Sequence, residues 1–253
     1  MTRKKESWNY LNEGRLSEAL TAELAAAEPD PELITLLKKL DEVLERLREK
    51  RYARAVELAA SLEPVGAFEP EGVRAGVTTL EQSGKELGRG EAENALSLLY
   101  KVLHPLLEAE YETQRGTAHV FLADTETAEQ AFKRATELDP KHYRALTNLG
   151  NLLLEAGRTD EAIVLYEKAI RLSESFPNAH HNLGVAYRRK GQVGKSVASI
   201  RRAQRVSRRR EGEEARSVVK SFAGTQAKKY FRWLLYAAVV LGLYLLLRGQ
   251  GVL

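Results

Sequence analysis

Apolar positions recur along most of this chain at three- and four-residue spacing, the period of a helix with one buried face. Leu146, Leu149, Leu152 and Leu153 share such a face, and Gly157 follows as a helix-terminating glycine. Ala162, Tyr166 and Ala169 then mark one face of a second helix. The pattern repeats at an offset of 34 residues, which superposes Leu149-Gly150 on Leu183-Gly184. The same offset aligns Gly116 with Gly150 and Gly184, and Ala128 with Ala162 and Ser196. It also aligns Phe132 with Tyr166 and Ile200, and Ala135 with Ala169 and Ala203. The small residues at 150, 162 and 169 let two helices approach, and Tyr166 fills the gap left between them. One such hairpin cannot bury its own apolar face, so neighbours must stack. The expectation is an all-α solenoid.

A weaker signal continues towards the N-terminus. The element Gly-x4-Ala occurs at Gly14/Ala19, Gly90/Ala95 and Gly157/Ala162, and Lys50/Ala55 fits if Lys stands for Gly. Hairpins are predicted near 7–28, 33–63 and 75–108, punctuated by Pro29, Pro31, Pro64 and Pro70. The stretch 63–76 reads as an irregular connector. These hairpins are either degenerate members of the 34-residue repeat or generic α-hairpins.

Residues 143–174 (YRALTNLGNLLLEAGRTDEAIVLYEKAIRLSE) and 177–208 (PNAHHNLGVAYRRKGQVGKSVASIRRAQRVSR) resemble tetratricopeptide repeats. A weaker first member, 109–142, ends in Asp139-Pro140. The resulting division is 1–108 as degenerate hairpins, then repeats at 109–142, 143–176 and 177–210. A polar capping helix and basic stem follow at 211–229. Arg115, Glu112 and His180 depart from the family's apolar positions, and Glu174 and Arg208 stand where Pro is common.

The resemblance implies that the first helix of each hairpin lines a concave groove. In 143–174 the groove positions are Arg144, Thr147, Asn148, Asn151, Leu154 and Glu155. In 177–208 they are Asn178, His181, Asn182, Val185, Arg188 and Arg189. Asn148 and Asn182 are equivalent. A carboxamide carries both donors and an acceptor, so it pairs with an extended peptide backbone whatever its sequence. Arg144, Arg188 and Arg189 would engage ligand carboxylates. The plainer reading is that Asn is a tolerated polar residue here. Thr113 and Thr147 occupy the places where the family's chaperone-tail clamp needs a lysine.

The C-terminus breaks the pattern. Trp233 to Leu247 (WLLYAAVVLGLYLLL) contains no charge. Fifteen helical residues span about 22 Å, short of the ~30 Å hydrocarbon core. Tyr230 and Phe231 lengthen the segment if Arg232 snorkels outward, and Arg248 can do so at the other end. A single transmembrane helix over 230–248 is therefore expected, against the alternative of a buried helix that seals the body. Insertion would be post-translational, as in tail-anchored proteins.

Charge sharpens this. Of 253 residues, 29% are charged and the net charge is +4. Residues 1–200 hold 27 basic and 32 acidic side chains, a balance of −5. Residues 201–232 hold 11 basic and 3 acidic, a balance of +8, and Arg248 adds one. An acidic body thus precedes a basic stem and a nearly uncharged tail. Arg208, Arg209, Arg210, Lys228, Lys229 and Arg232 are the candidates for anionic lipid headgroups. By the positive-inside rule the body stays in the cytoplasm. Arg exceeds Lys, 24 to 15, which suits a GC-rich bacterial genome, so a bacterial inner membrane is expected, with a mitochondrial outer membrane as the alternative.

Chemistry is sparse. The chain has no cysteine, which excludes disulfides, thiolate metal sites and cysteine nucleophiles. Histidines 104, 119, 142, 180 and 181 show no ligand spacing, so no metal is expected. No phosphate-binding loop, dinucleotide fingerprint or nucleophile elbow occurs. No cofactor and no catalysis are expected. The favoured function is a membrane-anchored scaffold that binds a protein or peptide partner, alone or within a membrane complex. The alternatives are a soluble solenoid whose 201–229 segment binds nucleic acid, although aromatics are not interleaved there, and an accessory subunit of an enzyme complex.

Overall fold

The computed structural model describes residues 2–102, 104–213 and 215–216. The chain divides into two units, Met1–Ala203 and Gln204–Leu253. The described residues of the first form six antiparallel helical hairpins. They pair α1 (Thr2–Asn12) with α2 (Leu16–Leu24), α3 (Pro31–Arg48) with α4 (Tyr52–Ala60), and α5 (Glu71–Arg89) with α6 (Ala92–Leu99). Then come α7 (Glu108–Phe121) with α8 (Thr125–Leu138), α9 (Tyr143–Glu155) with α10 (Thr159–Leu172), and α11 (Pro177–Arg189) with α12 (193–203). In the second unit, residues 204–213 are helical. No described helix is long and apolar enough to cross a membrane, and the predicted 230–248 span lies outside the described residues.

Each hairpin turns at one left-handed residue: Gly14, Lys50, Gly90, Ala123, Gly157 and Gly191, with φ between 58° and 82°. Four are glycine, the residue that adopts this conformation without a Cβ penalty. Lys50 and Ala123 adopt it despite the Cβ penalty. Five residues after each turn the side chain is buried: Ala19, Ala55, Ala95, Ala128, Ala162 and Ser196. The turn and the small residue together set how closely the two helices approach.

Helix starts are capped where the sequence offers a capping group. Asp30 accepts from the backbone N–H of Glu32 and Leu33, with Pro31 at the first helical position of α3. Asp124 does the same for α8 through Thr127. For α9 the cap is a histidine: His142 Nδ1 accepts from Ala145 N–H at 3.3 Å.

Packing inside a hairpin is a contact of glycine on ring. A Cβ on Gly116 would lie 2.7 Å from Phe132, and one on Gly150 would lie 2.7 Å from Tyr166. Gly184 faces Ile200 in the same way. The rings of Phe132 and Tyr166 are fully buried. The N-terminal half is sealed by a leucine core that includes Leu33, Leu37, Leu40, Leu47, Leu62, Leu80 and Leu99. Each such side chain contributes about 1.5–3 kcal/mol on burial. The C-terminal hairpins share smaller clusters, which Leu165 joins.

Candidate functional site

The first helices of successive hairpins meet on one face of the first unit, and there the candidate groove residues divide sharply. Arg144 is 4% exposed and Thr147 is buried. Both were expected to face a ligand, and the structure corrects this. The guanidinium of Arg144 donates to the Leu47 carbonyl at 2.8 Å and to both oxygens of Glu110 at 3.2 Å. It also reaches the Tyr52 hydroxyl at 3.4 Å. Thr147 donates to its own helix, at the Tyr143 carbonyl. The chain's own α3–α4 turn therefore occupies the corner where an incoming carboxylate would sit.

Glu110 is the hub of that corner and is 3% exposed. Its carboxylate accepts from Tyr52 Oη at 2.8 Å, from Gln114 Nε2 at 3.1 Å and from Arg144, and lies 3.0 Å from His142 Nε2. Burial alone would raise its pKa. Arg144 and the hydrogen bonds from His142 and Gln114 outweigh burial and hold it at about 2. Burial pushes the Tyr52 phenol up. Arg144 stays charged, because Glu110 and Tyr52 outweigh the burial that would lower it. The corner extends outward through Arg48, which pairs with Asp139 at 2.7 Å, and Lys141, which donates to Ser17. A cavity of about 600 Å³ lies beside it, bordered by the α1–α2 turn, α3 and residues 137–142.

Sequence reasoning missed Glu110, His142, Tyr52 and Gln114. Two departures from the family pattern do resolve. Arg115 and Glu112, each in an apolar position, pair with each other at 2.8 Å. His180 Nε2 lies 3.0 Å from the Glu174 carbonyl, so that one irregular position answers another.

The rest of the face is open. Asn178, His181, Arg188 and Arg189 are exposed, and Asn148, Asn151, Asn182 and Val185 are half-buried. Asn151 Oδ1 accepts from Tyr166 Oη at 2.8 Å and from Asn182 Nδ2 at 2.7 Å. Both bonds use the Asn151 oxygen. This leaves the amide donors of Asn151 and the carbonyl oxygen of Asn182 without a partner among the described residues. Arg189 donates to the Leu154 carbonyl, which ties α11 to the end of α9. Arg188 makes no ion pair among the described residues. Because the α3–α4 turn covers the lower corner, the open strip runs from the end of α7 through the middle of α9 to α11.

In the second unit, Arg208 is exposed, Arg209 pairs with Glu213 at 2.8 Å and Arg210 is half-buried. Lys228, Lys229 and Arg232 lie outside the described residues. Among the described residues no group of three or more His, Asp and Glu side chains is placed to hold a metal ion.

Three family comparisons match: a tetratricopeptide repeat description over 122–167, a TPR repeat description over 150–191 and a further tetratricopeptide repeat description over 177–209. The chain is 26% identical over 204 residues to a peroxisomal targeting signal receptor of Kluyveromyces lactis. That match covers 69% of this chain and 36% of the receptor, so the chain spans about a third of the length of that relative. Among solved structures it is similar to MamA, at 21% identity and a TM-score of 0.45, over 81% of this chain and 96% of that one. It is also similar to YrrB, described as a TPR protein with an unusual peptide-binding site, at 21% identity and a TM-score of 0.42, over 76% and 91% of the two chains. Residues 122–209 of this all-α solenoid thus match tetratricopeptide repeat models.

Proposed function

We propose that this chain is a non-catalytic scaffold that holds an extended segment of a partner protein along the open strip of α9 and α11. The observation that carries the reading is the Asn151–Asn182 pair. Tyr166 holds the Asn151 oxygen, Asn182 bonds to the same oxygen, and both asparagines are half-buried. Main-chain pairing of this kind gives affinity without demanding a sequence, and flanking side chains then supply the selectivity. The matches to a targeting-signal receptor and to a protein with a peptide-binding site are consistent in kind. A peptide array probed with the full chain tests this. Binding lost on Asn182→Ala and Asn151→Ala, but kept on Asn178→Ala, supports the reading. Binding indifferent to Asn151 and Asn182 overturns it.

The second part of the proposal concerns location. The uncharged run 233–247 and the basic residues before it would anchor the scaffold to a membrane. Arg208, Arg209, Arg210, Lys228, Lys229 and Arg232 would meet anionic headgroups, at about 1 kcal/mol each near the surface. Flotation with liposomes checks this: the full chain should float and a chain ending at 229 should not. Recovery of the full chain in the soluble fraction without detergent refutes it.

A further inference from the structure

The open strip carries different chemistry at its two ends. At the end of α7, Val120 and Phe121 are 43% and 56% exposed, outside every core cluster. The 34-residue offset places them in register with Leu154 and Glu155 on α9, and with Arg188 and Arg189 on α11. Leu154 is buried in the core, so the exposed edge passes from apolar Val120 and Phe121, through acidic Glu155, to cationic Arg188 and Arg189. Arg188 has no acidic partner among the described residues. Glu155 is exposed midway and repels a carboxylate there, which leaves the α11 end as the place for one.

We infer that the strip selects a segment with two features: an aliphatic or aromatic side chain seated on Val120 and Phe121, and a carboxylate seated on Arg188. This rests on the peptide-binding reading and gives it a selectivity. The spacing follows from packing. Neighbouring packed helices lie about 10 Å apart, so two steps from α7 to α11 span about 20 Å. An extended chain rises ~3.3 Å per residue, which separates the two side chains by about six residues. The Asn151–Asn182 pair lies beside this edge, three residues before Leu154 on α9 and six before Arg188 on α11.

The test uses fluorescence anisotropy with the full chain in neutral detergent. The probe is a fluorescein-labelled 12-residue peptide bearing one Leu and, six residues later, Asp-Asp, with Ser, Ala and Gly elsewhere. Removing the Leu or the Asp pair should weaken binding at least tenfold, and so should shortening the spacing to two residues. Phe121→Ser should weaken the Leu probe and leave the Leu-less probe unchanged. Arg188→Glu should lose the Asp probe and gain one with Lys-Lys in its place. Both substituted residues are exposed, and circular dichroism verifies that the helices persist. Equal binding of probes lacking Leu or Asp, or indifference to their spacing, overturns the inference while peptide binding itself stands. Self-association that Phe121→Ser abolishes also overturns it, because the apolar end then serves a second copy. No binding by this probe or by pooled random 12-residue peptides overturns the underlying reading as well.

Discussion

Replacing Glu110 by Gln removes one charge from the buried corner and leaves its shape intact. Glu110 and Arg144 are both under 5% exposed, and among the described residues Arg144 has no other carboxylate within ion-pairing distance. An uncompensated buried guanidinium costs about 3–5 kcal/mol. The depressed pKa expresses the same pairing. Folding lowers the Glu110 pKa from its ordinary 4.5 to about 2, which corresponds to about 3 kcal/mol at neutral pH. Because the folded value is the depressed one, this stability is fully present above pH 4.5 and is lost as pH falls towards 2. Urea unfolding of wild type and Glu110→Gln, followed by circular dichroism from pH 7 to 3, measures both quantities. The gap should be about 3 kcal/mol at pH 7 and should narrow below pH 4.5. The double variant Glu110→Met with Arg144→Met should recover most of the loss, since no charge is then left unpaired. A gap under about 1 kcal/mol at pH 7, or one that stays constant down to pH 3, refutes the reasoning.

Further outcomes follow from the packing. Gly150→Ala puts a Cβ 2.7 Å from the buried Tyr166 ring; overpacking of about 1–3 kcal/mol exceeds the ~1 kcal/mol helix gain, and the loss should shrink in a Tyr166→Leu background. Ala123→Gly relieves an exposed left-handed residue at φ 58° and should raise stability by about 1 kcal/mol in the same urea assay. Tyr166→Phe removes the hydroxyl that fixes Asn151, so peptide affinity should fall severalfold while thermal stability falls by about 1 kcal/mol.

The repeat was legible because its signals are local. Gly150 against Tyr166, Gly157 at the turn and Ala162 five residues later all lie within one hairpin. Lys50 and Ala123 were harder, since a left-handed turn without glycine leaves no mark except its register. The groove was legible only in part. Repeat position singled out Asn148 and Asn182 as the equivalent pair, whereas the structure bonds Asn182 to Asn151, another of the expected groove positions. The burial of Arg144 was not readable. It depends on Leu47, 97 residues earlier, and on Tyr52, 92 residues earlier, and no periodicity encodes how far the stack winds back on itself. Glu110 and His142 looked like ordinary polar positions, one in a helix and one at a cap. Only their convergence in space gives them a role.

The pairs Arg48–Asp139, Ser17–Lys141 and Leu47–Arg144 also bear on how the chain folds. A solenoid in which each repeat touches only its neighbours unfolds piecewise, like a one-dimensional chain of weakly coupled units. Here bonds across 91 to 124 residues tie α2 and α3 to the α8–α9 connection and the start of α9. Closing those distances raises the contact order, so the region up to α9 should form late and open as a single block. Beyond α9 no such tie exists among the described residues, and α11 and α12 should exchange their amide protons first. The half of the strip on α11 thus belongs to the least cooperative part of the array, where arrival of a ligand has the most order to confer.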